Sequence, residues 1–394
     1  MTPAARIAAA IEVLDRVLAG TPAEQALIGW ARASRFAGSG DRAAVRDHVF
    51  GALRCRRSFG ALSGDPGESG RALMLGCLVA ASADPTALFT GEGHAPAALT
   101  SAERAALGRA PSFADLPEAI RLDCPDWLVE PLREALSDQF DEVMALQRQR
   151  APVFLRANLR KTTREGAHDA LLREGITTEA HPLAQSALLV LDKSSKINGS
   201  MAYAEGLVEL QDCSSQAAVE QLPLMDGMDV LDYCAGGGGK ALAMAARCRC
   251  RLVAHDVAPQ RMADLPRRAR RAGVSVTTAD DTALKGKSFD LVLVDAPCSG
   301  SGTWRRTPDA KWRMTPERLA ELTDLQDEIL GQALQHLRPG GILAYMTCSF
   351  LRAENEDRVA KLLARFSGLA CEKMVRFSPV DGGDGFFFSQ FRAT

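Results

Sequence analysis

Apolar positions in the first third of the chain recur at helical spacing. Ile7, Ile11, Leu14 and Leu18 fall at i, i+4, i+7 and i+11, one stripe of an amphipathic helix that Gly20 ends. Thr21-Pro22-Ala23-Glu24 then has the form of a capping box with proline at the first helical position, and Leu27 and Trp30 continue that helix. Asp41, after Gly38-Ser39-Gly40, is placed to cap a third helix carrying Val45, Val49, Phe50 and Leu53. Residues 63–70 and 82–96 are rich in glycine, proline and small side chains and read as loops. A further helix follows Pro125-Asp126-Trp127-Leu128. No reactive constellation occurs here, so residues 1–147 read as a helical accessory bundle.

The pattern changes near residue 148. Val153-Phe154-Leu155 predicts a strand, 164–173 a helix ended by Gly175, and 176–179 and 187–191 two more strands. Residues 148–215 therefore read as a small α+β linking subdomain. From 216 to 394, short apolar runs at 229–231, 251–254, 274–277, 291–294 and 342–345 alternate with helical stretches. One of these helices covers 316–337, terminated by Pro339-Gly340-Gly341. Such alternation builds βαβ units, and the expected fold of this part is α/β, a doubly wound parallel sheet.

Composition narrows the function classes. With 46% hydrophobic residues in 394, sizeable cores are possible and global disorder is excluded. The formal net charge is −2, so any nucleic-acid contact must come from local basic patches. Candidates are Arg148 to Lys161 (with Arg150, Arg156 and Arg160), Arg267 to Arg271, and Arg305 with Arg306. Ten cysteines without regular spacing do not make a disulfide scaffold, and Cys248 with Cys250 lacks a second pair at zinc-finger spacing. Reduced thiols and no metal site are expected. No signal-peptide layout or long apolar run is present, so a cytoplasmic protein without a membrane partner is expected.

The reactive candidates lie at the ends of apolar runs. Asp295-Ala296-Pro297-Cys298-Ser299-Gly300 follows the run 291–294, and Thr347-Cys348-Ser349 follows the run 342–345. Two cysteines at the carboxyl ends of two strands of one parallel sheet can face a single crevice, where α/β folds bind ligands. An acid with two thiols suits chemistry on an electron-poor ring. After the run at 229–231 comes Asp232-Tyr233-Cys234-Ala235-Gly236-Gly237-Gly238-Gly239-Lys240, a glycine turn that opens a helix beside a ligand. Ala241 follows Lys240, so the turn lacks the hydroxyl of a nucleotide-phosphate loop. Asp256, at the end of the second strand, is placed to bond ribose hydroxyls, and Asp280, after the third, to accept from an adenine amino group. These acids fit NAD and S-adenosylmethionine alike.

The same residues carry a resemblance. Leu231-Asp232-Tyr233-Cys234-Ala235-Gly236-Gly237-Gly238-Gly239-Lys240-Ala241 is similar to the first motif, LDxCAAPGGKT, of the RNA 5-methylcytosine methyltransferases of the Sun/RsmB/NSUN group. The stretch from Asp295 to Trp312, DAPCSGSGTWRRTPDAKW, closely resembles that family's DAPCSGTGxxRRxPDxKW, and the TCS motif with Glu354-Asn355-Glu356 matches as well. Val208 to Gln216 resembles the VQDxSSQ segment, and Asp384-Gly385-Phe386-Phe387 the DGFF segment. The resemblance covers about 125–394. Pro125 to Leu128 and Pro152 to Asn158 look like the bacterial ribosomal RNA branch, RsmB, which carries an N-terminal NusB-like RNA-binding domain.

What the resemblance implies is specific. The core is a Rossmann-like methyltransferase domain that uses S-adenosyl-L-methionine, and the partner is RNA, 16S ribosomal RNA above all, met by a monomer. Cys348 adds to carbon 6 of cytosine, Cys298 assists release, and Asp295 bonds the nitrogen-3 and amino edge of the ring. The cofactor set is Cys234, Ala235, Gly236, Gly237, Gly238, Gly239, Lys240, Asp256, Arg261, Asp280 and Asp295, with Cys234 structural and Lys240 bracing the crevice. Arg305, Arg306, Lys311 and Trp312 are candidate RNA contacts. Transfer RNA as substrate, Cys298 as the nucleophile, and a non-catalytic RNA-binding assembly factor are the alternatives. One departure stands out: the family's Ala-Pro is Gly236-Gly237, which loosens the free loop at a cost of roughly 1 kcal/mol.

Overall fold

A computed structural model describes residues 1–64 and 69–393. They divide into two compact units, residues 1–150 with 304–314, and residues 151–303 with 315–394. The helical unit thus takes in a segment from the far half of the chain, which the expected boundary at 147 does not contain. The other unit joins the α+β subdomain and the large sheet, which the sequence reading sets apart at 215.

In the helical unit, Pro3–Leu18, Ala23–Ala33, Ser39–Arg54, Arg56–Ser63 and Gly70–Ala80 are the main helices, followed by Asp126–Leu136 and Phe140–Gln147. Ile7, Leu14, Val45, Val49 and Leu53 bury their stripes in one core with Leu73 and Met74. The capping box at Thr21–Glu24 does not form. Pro22 takes the N-cap position without a side-chain bond, and the Ala23 amide donates to Asp309 Oδ2 at 3.2 Å. Asp41 sits one turn inside its helix rather than at the cap, accepting from the Gly38 amide at 3.2 Å and from Arg6 Nε at 2.9 Å. In the expected loop 63–70, Ser63 ends one helix and Ser69 caps the next, while 65–68 lie outside the described residues.

Segment 304–314 closes the end of the Ser39–Arg54 helix. Trp312 Nε1 donates to the Leu53 carbonyl at 2.6 Å, Lys311 Nζ lies 3.5 Å from the Arg54 carbonyl, and Arg54 Nε donates to the Arg305 carbonyl at 2.6 Å. Carbonyls that a helix end leaves without partners are satisfied this way. Arg305 and Lys311 are each 3% exposed, and Trp312 is half-buried with the Arg56 guanidinium over its ring. These three side chains are therefore not the open RNA contacts expected of them, because Arg305 is buried and the donors of Lys311 and Trp312 are spent on the helix end. Arg148 is also engaged inside this unit, donating to the buried Asp123 at 2.8 Å.

The second unit holds eleven strands: β1 Val153–Ala157, β2 Thr178–Ala180, β3 Ala187–Val190, β4 Val208–Leu210, β5 Asp229–Asp232, β6 Arg251–His255, β7 Thr277–Ala279, β8 Phe289–Asp295, β9 Leu337–Thr347, β10 Leu369–Phe377 and β11 Phe386–Ala393. The first four form an antiparallel sheet in the order β2-β3-β1-β4. Asn158 Nδ2 donates to the carbonyls of Gly206 and Ala272, each at 2.8 Å, which ties this sheet to the end of the Leu265–Ala272 helix. The other seven run β10-β11-β9-β8-β5-β6-β7. Only β5 to β9 pair in parallel; β11 runs antiparallel to β9 and β10. The sheet is therefore mixed, because a C-terminal hairpin covers the edge of β9.

Helices cover both faces of the sheet, as its side-chain alternation requires. Val230, Leu291, Leu293 and Met346 pack in one core, and Leu231, Val292, Val294 and Tyr345 in the other. Two boundaries move from expectation. The amides of Gly273 and Val274 return to Arg270 and Ala269 and close the Leu265–Ala272 helix, so β7 begins at Thr277 rather than 274. The Pro316–Leu334 helix ends before residue 337, and Pro339-Gly340-Gly341 lie in the irregular start of β9.

Candidate active site

Strand register brings the two cysteine loops together. Asp232 pairs with Leu293, and Asp295 with Met346, so the chain leaves β5, β8 and β9 at one edge. The Ala296 amide donates to the Met346 carbonyl at 2.9 Å, and the Gly302 amide to the Cys348 carbonyl at 3.0 Å. Cys298, three residues past Asp295, and Cys348, two past Met346, thereby face each other with their sulfurs 3.4 Å apart.

The glycine turn lies beside them. Gly236 and Gly238 hold φ of +52° and +80°, a backbone that glycine adopts without steric cost. Gly238 caps the helix Gly239–Arg247, and a Cβ there would stand 2.3 Å from Leu265 Cδ1. A Cβ at Gly236 would meet Arg261 at 3.0 Å. The departure from Ala-Pro thus leaves room for Arg261, whose Nη1 donates to Asp256 Oδ2 at 3.0 Å. Asp256 is 3% exposed and also accepts from the Gly236 amide at 2.8 Å and the Ala258 amide at 2.9 Å.

One cavity of about 840 Å³ collects most of the expected residues: Cys234, Ala235, Gly236, Gly237, Gly239 and Lys240, with Asp256, Arg261, Asp295, Cys298 and Cys348. Gly238 does not line it. Neither does Asp280, whose side chain is exposed and accepts from the Ala283 amide at 2.8 Å as the cap of a short helix. Its neighbour Asp281 stands on the cavity wall instead, where Asp281 Oδ1 lies 2.9 Å from His255 Nε2. Sequence reasoning also missed Leu325, Glu328, Ile329 and Gln332 on the wall. Their i, i+3, i+4, i+7 spacing is one face of the Pro316–Leu334 helix and was the available signal.

Charges are arranged around the thiols. Lys240 Nζ contacts Asp295 Oδ2 at 2.5 Å and stands 4.9 Å over the Phe386 ring. Burial opposes the Lys240 charge, and the Asp295 carboxylate outweighs it, so the amine keeps its proton above the ordinary lysine range. The hydrogen bond with Cys348, followed by burial and the nearby Glu354 carboxylate, pushes the Cys298 thiol well up. Burial, with Asp232 beside it, does the same to Cys234. All ten cysteines are free thiols.

The cavity suits a cationic nucleoside ligand. Asp256 and Asp281 stand at the ends of β6 and β7, Val257 is 87% exposed on the wall between them, and Asp295 lies toward the thiols. Acids for ribose hydroxyls, an apolar wall for a base and a carboxylate facing a positive centre match S-adenosylmethionine better than a diphosphate-bearing dinucleotide. Within the expected basic patches of this unit, Arg160, Lys161, Arg267 and Arg270 are exposed, while Arg156 is buried and Arg271 pairs with Glu209 at 2.7 Å.

Comparison with known proteins points one way. The family model described as 16S rRNA methyltransferase RsmB/F matches residues 219–392, and the model for the RsmF/B-like ferredoxin-like domain matches residues 124–198. The ribosomal RNA small subunit methyltransferase B of Klebsiella pneumoniae is 32% identical over 281 residues, 68% of this chain and 65% of that protein. The protein of the same name from Erwinia tasmaniensis is 33% identical over the same shares. The chain thus spans about two thirds, 65%, of the length of these relatives. One solved crystal structure covers 99% of this chain at a TM-score of 0.77 and 21% identity. A methyltransferase homolog protein from Pyrococcus horikoshii covers 72% of this chain and 99% of its own at a TM-score of 0.62 and 24% identity. These structures share the fold.

Proposed function

The chain belongs to the RsmB/F methyltransferase family, and on that premise we propose that it forms 5-methylcytosine in RNA, small-subunit ribosomal RNA above all, with S-adenosylmethionine as methyl donor. The observation that carries this reading is the pair of sulfurs 3.4 Å apart in the cavity that also holds Asp295 and the glycine turn.

Cytosine carbon 5 is a poor nucleophile. Attack of the Cys348 thiolate on carbon 6 turns the ring into an enamine whose carbon 5 takes the methyl group. Asp295, steadied by Lys240, accepts from the ring's amino edge and orients the ring, while the Lys240 ammonium beside it offsets the negative charge that the thiolate brings. Cys298 then gives its proton to the departing Cys348 sulfur and, as thiolate, takes the carbon-5 proton, so both thiols end protonated. The target base must leave its stack, or lie in a loop, to enter the cavity. Asp256 and the turn at Gly236 hold the donor's nucleoside, and the helical unit selects the RNA.

The two thiols separate in a denaturing gel. Cys348→Ala should abolish methyl transfer to ribosomal RNA and form no covalent adduct. Cys298→Ala should allow one transfer and then accumulate protein–RNA conjugate. The reverse pattern transfers the nucleophile to Cys298, and normal turnover without adducts in either variant refutes the covalent mechanism. Methylation of transfer RNA in place of ribosomal RNA would replace the substrate.

A further inference from the structure

The Glu354-Asn355 pair has no part in the chemistry above, yet both side chains are completely buried beneath the cysteine loops. Glu354 Oε1 accepts from the Ser299 amide at 2.7 Å and from Gln326 Nε2 at 3.1 Å. Its Oε2 accepts from the hydroxyls of both Ser299 and Ser349. Ser299 directly follows Cys298, and Ser349 directly follows Cys348. One carboxylate therefore bridges the residues next to the two thiols.

The surroundings reinforce that bridge. Asn355 Oδ1 accepts from Thr347 Oγ1 at 2.6 Å, and Asn355 Nδ2 donates to the Ser349 carbonyl at 2.9 Å, bracketing Cys348 from both sides. Gln326 Nε2 also donates to the Pro297 carbonyl at 2.9 Å, and Ser301 Oγ lies 3.0 Å from Ser349 Oγ. A buried carboxylate with four donors is costly to disturb, since each orphaned partner keeps its desolvation penalty. Pro297 lines the cavity, whereas Glu354, Asn355, Gln326 and the three serines do not, so the carboxylate acts on the thiols through the loops that carry them.

Resting on the methyltransferase reading, we propose that Glu354 is a positioning residue for methyl transfer: it locks the cysteine loops in register and divides the roles of the two thiols. Its second effect is electrostatic. A buried negative charge near a thiol favours the thiol's neutral form. The hydrogen bond with Cys348, burial and, added to these, the Glu354 charge all hold the proton on Cys298, as the acid of the release step requires.

The test uses the full chain and three readouts. The pH dependence of iodoacetamide alkylation at each cysteine is followed by peptide mass spectrometry, S-adenosylhomocysteine binding by calorimetry, and methyl transfer in single turnovers. Glu354→Gln keeps the side-chain volume and removes the charge. It should bind the cofactor product within twofold of the wild type, alkylate Cys298 at lower pH, and transfer methyl groups roughly 100-fold more slowly. An unshifted Cys298 profile, or unimpaired transfer, overturns the proposal. Should Glu354→Gln lose cofactor-product binding altogether, Ser299→Ala decides: it removes one arm of the bridge and should slow transfer at least several-fold, and wild-type transfer rejects the clamp. Alkylation needs no RNA. A shifted profile in a protein whose wild type methylates no RNA would reject the functional reading and leave the division of the thiols standing.

Discussion

Replacing Asp232 by Asn should change how the stability of the sheet unit depends on pH. Asp232 ends β5 with no exposure, and neither of its carboxylate oxygens meets hydrogen-bond geometry with a partner among the described residues. Burial, then the charge of Asp295, raises its pKa from the ordinary 3.8 to about 7, with Lys240 and the nearby Ala241 amide offsetting part of the rise. The unfolded chain releases this proton near its ordinary value, the folded protein only near 7. Between those limits the folded state binds more protons, so its stability falls as pH rises. A gap of about 3 pH units at about 1.4 kcal/mol each makes the loss about 4 kcal/mol above pH 7, and none below about pH 4. Asp232→Asn keeps the shape and removes the titration. The variant's stability relative to wild type should therefore grow by about 4 kcal/mol between pH 4 and pH 8. All four tryptophans, Trp30, Trp127, Trp304 and Trp312, lie in the helical unit, so their fluorescence reports on the wrong unit. Hydrogen exchange in peptides spanning Asp229–Asp232 reads the right one. A difference between variant and wild type that stays constant with pH would refute the reasoning.

Two further substitutions test how the segments are held. Asp309→Ala removes the acceptor of the Ala23 amide and should lower the stability of the helical unit by about 1 kcal/mol in a tryptophan-monitored urea melt; an unchanged midpoint would show that water caps that helix equally well. In Gly302→Ala the new Cβ would stand 2.0 Å from the Gly385 carbonyl oxygen, so the Cys298 loop must shift. A loss of about 1–3 kcal/mol in the sheet unit and slower adduct formation are expected, with wild-type values for both counting against the close approach.

What was legible in the sequence was local. The Ile7 and Leu14 stripe, the 164–173 helix and the runs that became β5, β6 and β8 follow from spacing within a dozen residues. The thiol pair was legible because each cysteine follows a buried run of one parallel sheet, and register does the rest. Asp280 shows the limit. A short helix begins directly after β7, so the Asp280 side chain serves as its cap and Asp281 stands on the cavity wall. The hairpin of β10 and β11 was missed for a related reason: β11 buries six residues in a row, which gives no alternation to read.

Residues that serve across long separations were misread in a consistent direction. Arg305, Lys311 and Trp312 have the composition of a nucleic-acid surface, since guanidinium, ammonium and indole are what phosphates and bases bind. The same groups are also the donors best suited to the bare carbonyls at a helix end. Which use applies depends on whether such an end lies within reach, and here Leu53 and Arg54 lie more than 250 residues earlier in the chain. Glu354 is the converse case. Its motif was visible, but its role needed the two serines that the fold brings to one carboxylate. A motif therefore fixes chemistry only where its neighbours in space are also its neighbours in sequence. For the buried acids and bases of this chain the decisive partner lies on another strand or helix, and burial has to be established before a charged residue is assigned to a ligand.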